Sequence, residues 1–168
     1  MTHYHLAQVN IGRFIAPADD PVLVKFFEYL APINVMADAA PGFVWRFQTT
    51  DGNATSLRVY DDDRIIVNFS VWESLDALKN FVYKSEHREV MRKRKEWFVR
   101  MKEQYLALWW IPAGHIPVWS EAQERLDSLR QHGETPFAFS FRKVFAPDKR
   151  LLVNGPVSRA DDSAPKVG

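Results

Sequence analysis

Residues 64–72, Arg-Ile-Ile-Val-Asn-Phe-Ser-Val-Trp, are the stretch that decides the fold. The run is rich in β-branched and aromatic residues and follows a polar turn, which predicts a β-strand. Side chains alternate along a strand, so every second residue lies on the same face. One face is wholly apolar and carries Ile65, Val67, Phe69 and Val71. The opposite face is mixed and carries Ile66, Asn68, Ser70 and Trp72.

The elements on both sides of this strand predict an α+β fold. Strands are predicted at residues 4–14, 43–49, 64–72, 105–111 and 137–144. Helices are predicted at residues 22–39, 75–83, 86–103 and 121–131. Up to the fourth strand the order is β-α-β-β-α-β, which is the split β-α-β pattern of ferredoxin-like folds with an antiparallel sheet. We expect one domain over residues 1–146, with an extra C-terminal helix and strand, and a flexible tail over residues 147–168.

The mixed face of the predicted sheet leads to the expectation of a homodimer. The first strand has a similar mixed face, formed by Leu6, Gln8 and Asn10. Two helices on one side of a four-stranded sheet leave its other side open, and such a face would be an exposed patch on a monomer. Sheet-to-sheet packing of two copies would close it and complete a dimeric α/β barrel around an apolar pocket. In the alternative, the last helix and strand cover this face within one chain.

Composition and charge exclude several classes of function. The 168 residues are 46% hydrophobic and carry a net charge of +1, so the chain has no field that attracts nucleic acid. The absence of cysteine excludes disulfides, thiolate nucleophiles and cysteine metal sites. The N-terminus lacks the pattern of a signal peptide. The longest apolar run, residues 105–112, is shorter than the roughly 20 residues of a membrane helix, so we expect a cytoplasmic protein that binds neither nucleic acid nor membranes.

The chain carries no sequence motif of a nucleotide or metal site. It lacks the P-loop and the dinucleotide glycine fingerprint of nucleotide sites, and it also lacks the serine elbow of hydrolases. His3 and His5 have the spacing of two ligands on one strand face, but no third donor lies near them in the sequence. The acidic run at residues 61–63 lacks the spacing of a calcium loop. We therefore expect no metal site.

The helix predicted at residues 86–103 carries the candidate catalytic residues. Its apolar stripe consists of Val90, Met91, Trp97, Phe98 and Met101. His87 and Arg94 interrupt this stripe, and an unpaired buried charge is costly, so Arg94 needs a carboxylate, a carbonyl or a ligand anion. We predict that His87 transfers a proton and that Arg94 binds an anion or enolate. In the alternative, His87 caps the helix and Arg94 reaches an acidic partner at the surface.

Four further residues are candidate substrate-binding residues. They are Asn68, Trp72, Trp97 and Trp110. The chain contains six tryptophans, and rigid indole rings often mark pockets and interfaces. Asn68 and Trp72 share the mixed face, and Trp97 lies on the apolar stripe of the predicted helix. Trp109 and Trp110 point to opposite faces of the fourth strand, so one is expected in the core and the other in the pocket or at an interface.

Several stretches together resemble a known family. They are His5-Leu-Ala-Gln-Val-Asn10, Gly42-Phe-Val-Trp45, Asn68-Phe-Ser-Val-Trp-Glu-Ser-Leu-Asp-Ala-Leu78, His87-Arg-Glu-Val-Met-Arg-Lys-Arg-Lys-Glu-Trp-Phe98, Ala107-Leu-Trp-Trp-Ile-Pro-Ala-Gly114 and Glu121-Ala-Gln-Glu-Arg-Leu-Asp-Ser-Leu129. Their order and spacing resemble the bacterial domain family of unknown function numbered 3291. That family is similar to the dimeric α/β-barrel superfamily of antibiotic biosynthesis monooxygenases. The resemblance implies the fold and implies no particular reaction.

The residues and the resemblance leave two hypotheses open. In the first, the chain is a cofactor-independent monooxygenase, isomerase or cyclase that acts on a small aromatic or enolisable molecule. In the second, it is a non-catalytic protein that binds a small apolar ligand or haem, with His87 as the axial ligand of the haem iron. The first hypothesis needs no cofactor, and the second needs haem only in its haem-binding form.

Overall fold

The computed structural model describes residues 3–48, 62–84 and 87–153. Its strands are β1 (Tyr4–Arg13), β2 (Phe43–Arg46), β3 (Ile65–Trp72) and β4 (Leu106–Pro112). Its α-helices are α1 (Val24–Asp38), α2 (Leu75–Lys84), α3 (His87–Arg92), α4 (Trp119–His132) and α5 (Lys149–Val153). Short 3-10 turns lie at Pro21–Leu23 and Arg94–Glu96.

The four strands form one antiparallel sheet in the order β2-β3-β1-β4. The first and third strands of the chain are therefore neighbours at the centre, and the second and fourth lie at the edges. This order and the positions of α1 and α2 between the strands confirm the predicted α+β fold with a split β-α-β sheet. The β1–β3 register places Gln8 opposite Ser70 and Asn10 opposite Asn68.

Side-chain caps at two helix starts explain why the chain changes direction there. Asp20 Oδ1 accepts a hydrogen bond from the backbone N–H of Val22 at 2.9 Å, and Pro21 occupies the first position of the turn that leads into α1. Ser74 Oγ accepts from the N–H of Ala77 at 3.1 Å and starts α2 directly after β3. Both helices are thereby brought back over the sheet.

The two faces of the sheet are covered by different helices of the same chain. The apolar face packs under α4 and forms a core with Val67, Phe69 and Val71 of β3. The mixed face lies under α1, α2 and α3. The expectation that helices cover the apolar face and leave the mixed face for a second copy is therefore wrong. The connection of the split β-α-β unit places its own helices on the mixed face, and the extra C-terminal helix covers the other. Homodimerisation itself stays a prediction.

The prediction of one long helix at residues 86–103 is also wrong. Helix α3 ends at Arg92, and the chain turns through a 3-10 segment. Beyond that turn it runs beside the end of β1: Phe98 forms a bridge with Phe14, and the N–H of Val99 donates to the carbonyl of Arg13 at 2.9 Å. Backbone pairing with β1 thus replaces helical hydrogen bonds, and the stripe drawn over residues 86–103 does not exist as one surface.

The C-terminal part contains less strand and more helix than predicted. Between residues 137 and 144, the chain pairs with β4 through one isolated bridge, in which Leu108 and Phe139 exchange backbone hydrogen bonds of 2.7 and 2.9 Å. The tail predicted from residue 147 contains α5, and residues 154–168 lie outside the described part of the chain.

A substitution at Gly42, directly before β2, tests whether the backbone there packs closely against α2. Gly42 has a φ of 79°, and a Cβ placed on it would lie 2.5 Å from the Cβ of Ala77. We expect Gly42→Ala to lower the free energy of unfolding by at least about 2 kcal/mol, because the left-handed conformation costs about 1–2 kcal/mol and overpacking adds about 1–3 kcal/mol. Urea denaturation measures this change.

Gly114 provides the matched control for this substitution. Its φ is 91°, but an added Cβ would meet nothing within 4 Å among the described residues. Gly114→Ala therefore carries the conformational cost without the overlap, and we expect a smaller loss of stability. Equal losses in the two variants would contradict close packing between Gly42 and α2.

Candidate functional site

A cavity of about 310 Å³ lies between the mixed face of the sheet and the helices that cover it. Residues of β1 and β3 form its floor, and residues of α1, α2 and α3 line its walls. The lining is mostly apolar and aromatic, with a few polar groups at fixed positions. Small-molecule sites are usually built in this way, and their volumes start at about 300 Å³.

Five polar side chains on the floor form one continuous run of hydrogen bonds, which we call the floor chain. Asn10 Nδ2 donates to Gln8 Oε1 at 3.2 Å. Gln8 Nε2 donates to Asn68 Oδ1 at 3.1 Å and to Ser70 Oγ at 3.0 Å. Trp72 Nε1 donates to the same Ser70 oxygen at 3.0 Å. The floor chain thus links β1 to β3 across the mixed face.

The floor chain determines which polar groups are left for a ligand. Gln8 is 4% exposed and uses both its oxygen and its nitrogen within the chain. Asn68 is exposed, and its Oδ1 accepts from Gln8. Its Nδ2 hydrogens have no acceptor among the described residues. Ser70 Oγ accepts two hydrogen bonds, which leaves its own hydrogen to be donated. Asn68 and Ser70 therefore offer hydrogen-bond donors to the cavity.

Trp72 forms an aromatic wall beside these donors. Its ring stacks on Phe81 of α2 at 5.2 Å between centroids with an interplanar angle of 27°, and Phe43 meets it edge-on at 5.5 Å. Trp72 is 1% exposed, and its Nε1 is held by Ser70. The indole is therefore held in place at both its polar and its apolar side.

Arg94 brings a positive charge to the cavity lining. Its Cζ lies 4.6 Å from the ring centroid of Tyr105 and 5.5 Å from that of Phe98. These rings hold the planar guanidinium without neutralising it. Arg46, another lining arginine, donates to both carboxylate oxygens of Asp38, at 2.7 and 3.1 Å. Arg94 forms no such pair with any carboxylate in the described part of the chain.

The end of the floor is shaped by a glycine. A Cβ on Gly12 would lie 2.7 Å from the ring of Phe98, so the ring rests directly on the β1 backbone. Phe98 also stacks on Phe14 at 5.0 Å. This close approach places the segment after α3, and with it Arg94, beside the floor.

The structure brings together only part of the predicted site. Asn68, Trp72 and Arg94 line the same cavity. Trp97 is 2% exposed and packs edge-on against Phe26 in the core beneath α1, away from the cavity lining. It lies there because the chain leaves the helix before reaching it. The side chain of the predicted proton-transfer residue, His87, lies outside the described part of the chain, although helix α3 begins at this position.

Trp110 also lies outside the cavity lining. Its Nε1 donates to the carbonyl of Phe145 at 2.7 Å, so the indole faces the C-terminal segment. Its neighbour Trp109 is fully buried in the core of the apolar face, so the prediction that one of the two tryptophans lies in the core is consistent with the structure. Trp110 holds the C-terminal segment against β4 instead of lining the pocket.

Sequence reasoning did not select Gln8, Tyr29 and Tyr105 as site residues. Gln8 could have been found, because it lies on the mixed face of β1 beside Asn10. Tyr29 lies on the face of α1 that also presents Phe26 and Ile33 to the cavity, at helical spacing. Tyr105 has no signal in the sequence, since its role depends on Arg94 reaching it from a different part of the chain.

Within residues 3–48, 62–84 and 87–153, no three histidine or acidic side chains come close enough to hold a metal ion. Over the same ranges, no helix has the length and apolar character required to cross a membrane. Apart from apolar side chains, the described lining contains amide, hydroxyl and guanidinium groups and the indole N–H of Trp72.

Comparison with known proteins assigns the chain to a family. The sequence model of the family described as "Domain of unknown function (DUF3291)" matches residues 5–154. The chain belongs to this DUF3291 family. The match begins one residue into β1, covers the other elements that form the cavity, and extends through α4 into α5. A search of curated protein sequences gives no significant match.

Two solved structures align with this DUF3291 chain at low sequence identity. SnoaB, a cofactor-independent oxygenase from Streptomyces nogalater, is 16% identical, with a TM-score of 0.46 over 68% of this chain and 96% of SnoaB. The protein of unknown function NE2512 from Nitrosomonas europaea is 10% identical, with a TM-score of 0.44 over 70% of this chain and 97% of NE2512.

A substitution at Gln8 tests the floor chain. Gln8→Leu removes the shared partner of Asn10, Asn68 and Ser70, and we expect the free energy of unfolding to fall by about 1–3 kcal/mol, the cost of buried polar groups left unsatisfied. Chemical denaturation measures this loss. The same substitution at the exposed Gln123 of α4 is the control and should change stability by less than about 0.5 kcal/mol. A Gln8 variant as stable as the control would contradict a structural role for the floor chain.

Proposed function

We propose that this protein binds a small, planar, enolisable aromatic molecule in the cavity and stabilises its enolate or phenolate form. The observation that carries this proposal is the guanidinium of Arg94, which lies at an aromatic cavity without a carboxylate partner among the described residues. The hydrogen-bond donors of the floor lie in the same cavity. A delocalised anion matches this combination of flat walls, donors and one positive charge.

The aromatic walls of the cavity favour a ligand that contains a flat ring over a ligand with a flexible aliphatic chain. The rigid indole of Trp72 and the ring of Phe81 stack on each other, and Phe98 lies flat near the other end of the floor. Aromatic surfaces of this kind interact best with a flat partner in an offset-stacked or edge-on arrangement. A ring that enters the cavity also loses contact with water, which strengthens the attraction between its oxygen and Arg94.

The polar groups favour an oxygen anion. Guanidinium groups and amide N–H groups are donors, and a donor aimed at a developing negative charge stabilises that charge. Asn68 is suited to this role because the floor chain holds its oxygen and leaves its nitrogen for the ligand. Arg94 and Asn68 would together stabilise the oxygen of an enolate.

An enolate held in this way leads to each of the three reactions expected from the sequence. Attack of the enolate carbon on dioxygen, followed by loss of water, gives a quinone and accounts for a monooxygenase. Reprotonation at another carbon accounts for an isomerase, and attack on a carbonyl of the same molecule accounts for a cyclase. All three need the oxyanion to be held, and none needs a bound cofactor. In this proposal His87 retains the proton-transfer role expected from the sequence.

A non-catalytic binding protein is the second candidate. Binding requires only the lining described above, and the pair formed by Arg94 and Tyr105 is already in place to receive an anion. Haem is one ligand of this kind, and its iron takes His, Cys, Met or Tyr as axial ligands. In the described lining, Met91 and the tyrosines are the side chains of this type. A homodimer remains part of the proposal, with the cavity formed within each copy.

Binding of matched probes tests the role of Arg94. We expect the wild-type protein to bind 2-naphthoate, an aromatic anion, and Arg94→Gln to weaken this binding by about 10- to 100-fold, since hydrogen bonds to charged groups contribute about 1.5–3 kcal/mol. Binding of uncharged naphthalene should change by less than about twofold. Quenching of tryptophan fluorescence reports both affinities, because Trp72 lines the cavity.

Arg92→Gln is the control for charge alone. Arg92 is exposed on α3 and pairs with Glu89 at 3.2 Å, outside the cavity lining. This variant should bind both probes as the wild type does. If Arg94→Gln and Arg92→Gln weakened 2-naphthoate equally, or if the wild type bound neither probe, the proposed anion site would be wrong.

Turnover of an enolisable ketone separates the enzyme from the binding protein. With anthrone under air, we expect oxygen uptake and formation of anthraquinone, with one dioxygen consumed and one water released for each ketone. Arg94→Gln should slow this reaction by about 10-fold or more, because it removes one stabilising group of an oxyanion. Binding of anthrone without any product would support the binding protein, and a Soret shift on addition of haem would identify haem as the ligand.

A further inference from the structure

Tyr29 and Lys93 form a polar contact at the cavity that the proposed function does not use. The Nζ of Lys93 donates to the hydroxyl oxygen of Tyr29 at 3.1 Å and lies 5.2 Å from the centroid of the same ring. Tyr29 lines the cavity from α1, and Lys93 follows directly on α3. Two segments that are far apart in the sequence therefore meet at one phenol.

This contact determines the direction in which the phenol donates. An ammonium group has donors only, so the oxygen of Tyr29 must be the acceptor. The hydroxyl hydrogen of Tyr29 is therefore left over, and no acceptor for it is found among the described residues. A phenol that is half-buried in a cavity wall and holds an unused hydrogen is suited to donate to a ligand oxygen.

Packing holds the ring of Tyr29 in place, and electrostatics favour the charged form of Lys93. The ring of Tyr29 packs against the buried Trp97 at 5.9 Å between centroids, which limits its rotation. The hydrogen bond to Tyr29 raises the pKa of Lys93 above its ordinary value, and the nearby Glu89 and Glu96 act in the same direction. Lys93 is therefore charged at neutral pH and remains a donor to the phenol.

We propose that Tyr29 is a specificity-determining residue that donates to a carbonyl-type oxygen of the ligand, and that Lys93 is its positioning residue. This inference rests on the proposed function and extends it. Arg94 would receive the anionic oxygen and Tyr29 a second, neutral acceptor. The ligand class is then a planar aromatic anion that carries a separate carbonyl oxygen, such as a hydroxyquinone or an aromatic β-dicarbonyl compound.

Two probes that differ in this second oxygen test the proposal. The anion of 2-hydroxy-1,4-naphthoquinone carries carbonyl oxygens, and 2-naphthoate carries a single anionic group. We expect Tyr29→Phe, which keeps the ring against Trp97, to weaken the hydroxynaphthoquinone by about 5- to 15-fold, the equivalent of one hydrogen bond. Binding of 2-naphthoate should change by less than about twofold. The visible absorption band of the bound hydroxynaphthoquinone should also differ between the wild type and this variant.

Lys93→Gln tests the positioning role. We expect it to weaken the hydroxynaphthoquinone by about two- to fivefold in the wild-type background and to have no effect when Tyr29 is already Phe, because Lys93 acts through the phenol. Tyr4→Phe is the matched control, since Tyr4 lies at the start of β1 and is not part of the cavity lining. This control should bind both probes as the wild type does.

The possible results separate the two proposals. If Tyr29→Phe weakens both probes equally, or neither, Tyr29 does not read the second oxygen and this inference is wrong, whereas dependence of both probes on Arg94 would still support the proposed function. If the wild type binds neither probe, both proposals fail. As a check on the contact itself, NMR titration of the lysine side chains should show a lower pKa for Lys93 in Tyr29→Phe, and an unchanged value would show that the contact is absent in solution.

Discussion

An amide that is buried between a sheet and its helices must be hydrogen-bonded, and this constraint shapes the mixed face of the sheet. Gln8 is 4% exposed, and it forms hydrogen bonds with Asn10 on its own strand and with Asn68 and Ser70 on the next. The cavity lies directly over this network, and the donors that the network leaves unused are those of Asn68 and Ser70. On the apolar face α4 packs directly onto the sheet, and the indole N–H of Trp109 is bound by Glu121 of that helix.

The parts of the fold that depend on local alternation could be predicted from the sequence. The strand at residues 64–72 was found within one residue of β3, and its two faces were assigned correctly as apolar and mixed. The split β-α-β order follows from the sequence of elements, so the sheet order was predictable as well. Asn68 and Trp72 were found for the same reason, because a polar group and an indole on one strand face indicate a pocket wall.

The parts that depend on distant pairing could not be predicted in this way. The helical periodicity over residues 86–103 is real in the sequence, but the backbone at Phe98 pairs with Phe14 instead, and this contact has no local signal. Trp97 consequently turns into the core. Arg94 was selected because it interrupts the apolar stripe of a predicted helix, but that helix ends at Arg92, before this residue is reached. The carboxylate or carbonyl partner expected for Arg94 is not found among the described residues, where its guanidinium lies over the ring of Tyr105. Its role in binding an anion stays a prediction.

The positions of the helices also change what a second copy would do. An open mixed face would make the pocket depend on a partner, because the partner's sheet would supply the missing wall. In this chain α1, α2 and α3 supply that wall, and Tyr29, Asn68, Trp72 and Arg94 all line the described cavity of one copy. The opposite face is covered by α4, which packs on β1 and β4 and shares a core with β3. A homodimer that packs outside the cavity would therefore leave the cavity lining unchanged, so ligand binding should be independent of the oligomeric state.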